Sequence, residues 1–344
     1  MNDRQESARG VGEAAAEPEK FRFLGSVLRL ATVVLLGAVV AWTFLSDSGG
    51  RIYDSQLIYA ALAAQLPMFL AIVFATYRHA LLVRTPRAPF WITFRAMNVS
   101  AGLNVVVPGR LSELVKLTYL RHYIEIPYSR SLAAVMVERL SDLIIVGSIG
   151  LLALVANLLT VDPLIIGFVL GAALALLLLL PRLEHLAGVI AEKIDWSAAR
   201  FAARVLEHSS RASHGCRFLA ALAFGVLSWT GNFLSVWIFM SVQPLGNVSL
   251  PQTMALFSAI TFAGAIPGLP GGIGAYEGAA TLVLMSFGFT APEALAIAIS
   301  LHLSQLALSV MFTSVFVFFY RTGTSTTLKD ATRMLQQMKS ESET

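Results

Sequence analysis

Arg110 and Glu113 stand three residues apart, directly after a Pro108-Gly109 pair, in the stretch NVVVPGRLSE. Proline removes a backbone donor and glycine opens backbone geometries closed to other residues, so the chain can end one helix here and begin another at Leu111. The new helix would aim free N–H groups and the positive end of its dipole at whatever fills the break. A guanidinium beside such an end can hold two phosphate oxygens at once, which makes Arg110 a candidate phosphate clamp. Lys116 lies two turns along, and Arg95, Asn98 and Asn104 line the incoming arm. With Glu113 and Glu277 these form the candidate substrate-binding set. Two bland alternatives stand beside it: Arg110 snorkelling to headgroups, and a simple Arg110–Glu113 ion pair on one helix face. That ion pair would also serve as a gate opened by a competing phosphate.

Two further constellations share this character. Glu138, Arg139 and Asp142 interrupt an apolar segment (VMVERLSDLIIV). Each charge near the centre of a span costs about 2.5–3.5 kcal/mol on insertion scales, so three in five positions must face protein or a wet cavity. They read either as a self-neutralised triad locking the helix to the first broken segment or as substrate and proton handling groups. Later, PGLPGGIGAYE places Pro270, Gly271, Gly272 and Gly274 just before Tyr276 and Glu277. So much glycine lets backbones approach closely or exposes amides to a ligand. His302 and Gln305 on the last apolar run are candidate partners of Glu277, with helix packing the alternative.

The elements that must position these residues follow from composition. The chain has 344 residues, 56% hydrophobic and 13% charged, with a mean hydropathy of +0.70; a soluble domain has a very different usage. The expected fold is an all-α polytopic membrane protein. Six runs meet the spanning length of about 20 residues: 24–45, 55–75, 131–157, 163–181, 217–241 and 292–320. Between them, 91–123 and 251–288 read as re-entrant helical hairpins, because their arms are too short or too charged to cross facing lipid. The predicted arms of the second are Pro251–Ile266 and Ala275–Gly288.

Arg and Lys concentrate in segments on one side, including Arg78, Arg84, Arg87, Arg121, Arg130 and the basic residues of 182–217, whereas the opposite loops hold only Arg51. By the positive-inside rule this predicts a multi-pass protein of the cell membrane with both termini cytoplasmic. The two hairpins would then enter from opposite faces, the arrangement an inverted repeat would produce. Residues 1–20 and 323–344 read as cytoplasmic tails around a membrane domain of 21–322. Residues 182–216 carry an apolar stripe and read as an interfacial helix on the cytoplasmic leaflet. Trp42, Trp91, Trp229 and Trp237 read as interface or packing residues.

Several chemistries have no motif here. There is no phosphate-loop signature, no His/Cys cluster at metal-ligand spacing and no nucleophile elbow, so neither metal nor cofactor is expected. A sequence pI near 9.3 comes from scattered basic loops, which suits membrane topology and not nucleic acid. Cys216, the single cysteine, excludes an intrachain disulfide.

These motifs in order, Asn104 before Pro108-Gly109-Arg110 with Glu113, then Glu138-Arg139 with Asp142, then Pro270-Gly271-Gly272, Gly274 and Glu277, resemble the lysylphosphatidylglycerol synthase transmembrane region, a flippase-like membrane family. The resemblance runs from about residue 20 to 322. It implies a domain that moves a lipid or lipid-linked headgroup between leaflets. In the large synthases of that family an aminoacyl-transferase follows; only a short tail follows the last span here, so aminoacylation is not expected. The implied partners are a membrane lipid and a lipid-modifying enzyme. The competing readings are a membrane-embedded transferase acting on a lipid phosphate, with Glu113 or Glu138 as base, and a non-transporting assembly subunit.

Overall fold

A computed structural model describes residues 55–83, 90–105, 112–155, 163–193, 197–241, 248–266 and 270–319. The first predicted span, both tails and the Pro108-Gly109-Arg110 break lie outside the described residues. Within them the fold is all-helical. The helices are α1 (Ser55–Val83), α2 (Phe90–Asn104), α3 (Ser112–Ile124), α4 (Tyr128–Val155), α5 (Pro163–Lys193), α6 (Ser197–Ala212), α7 (Gly215–Ser241), α8 (Leu250–Ala265), α9 (Ala275–Ser286) and α10 (Ala291–Phe319).

Four stretches are long and apolar enough to cross a membrane: Tyr59–Val83, Leu170–Ala191, Gly215–Ser241 and Ala291–Thr313. They fall on four of the expected runs. A fifth run forms α4, whose 28 residues reach about 42 Å at the helical rise but which carries the three charges. The two broken units appear as pairs of short helices, α2 with α3 and α8 with α9, and the members of each pair pack on each other. The arms of the second unit end within two residues of their expected bounds.

The segment 182–216 differs from expectation. Residues 182–193 continue α5 beyond Pro181, and only Ser197–Ala212 form a separate helix. Leu186, Val189 and Ile190 keep helical spacing beyond the proline, and one lost backbone bond does not end an otherwise apolar helix. The separate helix, α6, is strongly amphipathic and packs against α4 and α5, burying Val205, Ser209 and Ala212. It is docked on the bundle as well as facing outward.

The two larger clusters of apolar burial lie one around each broken unit. Leu256, Phe257 and Ile260 of α8 meet Phe239 of α7, Leu284 of α9 and Leu301 of α10. Ala96 of α2 and Leu120 of α3 meet Leu82 of α1, Val137 of α4 and Leu180 of α5. Small residues close the crossings between helices. A methyl group on Gly231 of α7 would stand 2.6 Å from the Pro67 carbonyl oxygen of α1, and one on Gly102 of α2 would stand 1.9 Å from Thr313 Oγ1 of α10. Contacts this short require glycine, and they bring α1, α7, α2 and α10 close enough to wall a shared interior.

Candidate functional site

That interior is a cavity of about 510 Å³. α2 contributes Ala101 and Asn104, α4 contributes Arg139, Asp142 and Val146, α7 contributes Trp229 and Asn232, and α8 contributes Phe257 and Thr261. Tyr276 of α9 and His302, Gln305 and Ser309 of α10 complete its polar wall. Residues of both broken units therefore face one chamber.

The charged side of the site is built on α4. Successive residues of a helix diverge by about 100°, and Glu138 and Arg139 part accordingly. Glu138 turns away from the cavity: its Oε1 lies 2.9 Å from His79 Nδ1 and its Oε2 lies 3.7 Å from Lys116 Nζ. Arg139 turns toward the cavity, donating to Glu113 Oε1 at 2.5 Å and to Asp142 Oδ2 at 3.3 Å. The self-neutralised triad, one of the two readings from sequence, is thus divided, with Arg139 and Asp142 on one side and Glu138 on the other. Glu113 pairs with Arg139.

Asp142 is the hub. Its Oδ1 accepts from Arg78 Nη1 at 2.6 Å and from Trp229 Nε1 at 2.6 Å, while its Oδ2 accepts from Arg139. Arg78 also donates to the Glu138 backbone carbonyl at 2.6 Å. Three cations (Arg78, Lys116, Arg139) thus face three carboxylates (Glu113, Glu138, Asp142), which is how so much charge is held among apolar helices. The Arg139 side chain remains 44% exposed, against 6% for Arg78, so Arg139 is the most accessible of these three cations.

The opposite side is built by the second break. Gly271, Gly272 and Gly274 have φ of 67°, 78° and 87°, a left-handed run that side chains resist. It turns the chain into α9, where Glu277 caps the helix by accepting the Gly274 N–H at 2.6 Å through Oε2. Glu277 Oε1 lies 2.7 Å from His302 Nδ1, and His302 Nε2 lies 3.1 Å from the Gly271 carbonyl oxygen. Tyr276 stacks on the His302 ring with centroids 4.0 Å apart and donates its hydroxyl to Gln305 at 2.9 Å.

A family model for the lysylphosphatidylglycerol synthase TM region matches residues 24–312. The chain belongs to that family. Comparisons with curated proteins and with solved structures returned no match. Every described residue of this lysylphosphatidylglycerol synthase TM region that faces the cavity, from Met68 to Ser309, falls inside the matched stretch. The protein is accordingly a multi-pass membrane protein.

The residues named from sequence separate into two groups in this lysylphosphatidylglycerol synthase TM region. Asn104, Arg139 and Asp142 line the cavity, and Glu113 and Glu277 stand one hydrogen bond behind it. Asn98, Lys116 and Arg95 are placed in helix contacts instead. Asn98 donates to the Phe94 carbonyl and its own carbonyl accepts from Thr313; Lys116 is buried against Glu138; Arg95 hydrogen-bonds Tyr119. Pro108, Gly109 and Arg110 fall outside the described residues. Sequence reasoning assigned Arg78 to a basic flank and Trp229 to packing, and both instead bind Asp142. His79, adjacent to Arg78 at the end of an apolar run, is a signal that could have been read as an internal pair.

Proposed function

We propose that this protein is a lipid translocator that carries the headgroup of a phospholipid or lipid-linked molecule through the cavity while the acyl chains stay in the bilayer. The observation that carries this reading is that one chamber is walled by both broken units and holds a half-exposed arginine between two carboxylates. A planar guanidinium can exchange one carboxylate for a phosphate with little change of geometry. Glu113 would then leave Arg139, and because Glu113 sits on α3 the arrival of a headgroup would loosen α3 from α4. In this reading an Arg139–Glu113 gate takes the part that the sequence suggested for Arg110 and Glu113.

Transport by this route is passive or ion-coupled and makes no covalent change to the lipid, so we place the protein among transporters and not enzymes. Its partners are then a membrane lipid and the enzyme that produces or consumes it. Placement in the cell membrane with both termini cytoplasmic belongs to the same proposal, supported by the one-sided excess of Arg and Lys. The test is transfer of a fluorescent phospholipid across proteoliposomes. Wild type should move it, and Arg139→Gln should lose most of that rate while remaining inserted and monodisperse. Equal rates for the two proteins would remove the phosphate exchange.

A further inference from the structure

The hydrogen-bond geometry around His302 specifies how many protons it shares with Glu277. The Gly271 carbonyl at 3.1 Å from Nε2 can only accept, so Nε2 carries a hydrogen. A ring with that proton alone would turn a bare Nδ1 lone pair toward the Glu277 carboxylate oxygen at 2.7 Å, which repels. A second proton therefore lies between Nδ1 and Oε1, whichever atom holds it. The pair contains one proton more than a carboxylate and a neutral imidazole.

A second carboxylate–imidazole pair in the same bundle provides the contrast. His79 Nδ1 lies 2.9 Å from Glu138 Oε1, but its Nε2 is buried with no partner among the described residues. A neutral ring satisfies that geometry. Carboxylate contact alone thus does not demand the extra proton; the Gly271 carbonyl does. His302 also lines the cavity, whereas His79 does not.

We propose that the Glu277–His302 pair is a proton-binding site that couples the carrier to a pH gradient. This rests on the translocator reading above. The proton would enter from cavity water onto the pair and leave to water on the other face, with only N–H or O–H bonds made and broken. Its loss leaves two acceptors facing each other at either Glu277 or Gly271, so one of those contacts opens. Gly271 is where the second break lies against Val105 of the first, so the opening would be felt by both units. The other titratable groups facing the pair are Tyr276 on α9, stacked on the ring, and Asp142 and Arg139 on the α4 wall. From α1, Gln65 bonds to Ser304 of α10 and brings no charge.

Glu277→Gln imitates the loaded pair permanently: the amide can still cap Gly274 and can donate to Nδ1. Infrared difference spectra of the full chain in lipid nanodiscs, taken across an acid-to-alkaline pH series, read the pair without a transport assay. We expect a pH-dependent band that Glu277→Gln removes and His302→Gln alters; a spectrum with no such band overturns the proposal. In proteoliposomes holding a fluorescent phosphatidylethanolamine, an imposed pH gradient should speed wild-type transfer about tenfold, equivalent to about 1.4 kcal/mol, and leave Glu277→Gln unchanged. Wild-type transfer indifferent to the gradient overturns the coupling and keeps the lipid reading. The infrared band without any lipid transfer supports the proton site and counts against the lipid reading.

Discussion

Gly271 of the second break lies against Val105 at the edge of the first: a methyl group on the glycine would stand 3.6 Å from the valine Cα and 3.8 Å from its carbonyl oxygen. Those distances are ordinary contact, so space does not forbid a side chain there. The backbone does, with φ at 67°. Gly271→Ala should therefore cost about 1–2 kcal/mol through conformation alone, and should slow headgroup transfer more than it lowers the melting temperature, because the strained residue joins both walls of the cavity. Parallel melting and transfer measurements check this.

Gly102 presents the opposite case. A Cβ there would meet Thr313 Oγ1 at 1.9 Å, so α2 and α10 must separate to admit it. Gly102→Ala should destabilise by about 1–3 kcal/mol. Thr313→Ala alone removes one hydrogen bond, to the Asn98 carbonyl, at about 1 kcal/mol. Because the Thr313 Cβ itself would stand 2.4 Å from the added methyl, adding Thr313→Ala should not restore the stability lost by Gly102→Ala, which thermal unfolding in detergent can decide.

Asp142 gathers donors from three helix positions, and their weights should differ. Asp142→Asn leaves the buried Arg78 guanidinium without its carboxylate and should cost about 3–5 kcal/mol. Trp229→Phe removes one neutral donor and should cost about 1–3 kcal/mol, including the loss to the acceptor. A ranking reversed from this would show that Arg78 does not depend on Asp142.

The Arg139–Glu113 pair is partly exposed, so its stability effect should be small while its functional effect is large. Arg139→Gln and Glu113→Gln should each lose transfer. The double variant, neutral at both positions, should regain the stability lost by either single change without regaining transport. A double-mutant cycle run on melting temperature and on transfer rate separates these effects.

α6 lies outside the spans and carries a histidine suited to a pH test. Burial, and next to it Arg130, lowers the affinity of His208 for a proton. The unfolded segment then binds the proton better than the docked one, so docking is fully favoured above the unfolded value of about 6.5 and weakens as pH falls through it. Hydrogen exchange of α6, corrected for intrinsic rates, should rise on acidification, and His208→Gln should flatten the response.

Much of this arrangement was legible in sequence because membrane apolarity and broken helices leave strong signals. Both short-helix pairs, α7 and α10 appear within a few residues of expectation, whereas α1 and α5 run on to Val83 and Lys193, well past the expected 75 and 181, and the Gly-rich turn before Glu277 is where three positive φ angles occur. The pairing of charges was not legible. Arg139 could be assigned to Asp142 by spacing, but its shorter bond goes to Glu113, 26 residues away, and Arg78 looked like a flank because Arg84 and Arg87 follow it. Local spacing cannot foresee which distant helix supplies a partner. The same holds for Lys116, which is buried facing Glu138 of α4; the Asn98 amide donates to Phe94 of its own helix.

The most direct measurement is to fill the chamber and ask whether lipid still moves. Ser309 and Asn232 line the cavity from α10 and α7, and Ser309→Trp or Asn232→Trp should occupy a large part of it without touching the charge network. With the protein reconstituted in vesicles holding a fluorescent phospholipid, wild type should transfer the probe and both folded tryptophan variants should fall to the rate of empty vesicles. Transfer at the wild-type rate in the filled variants would contradict the account.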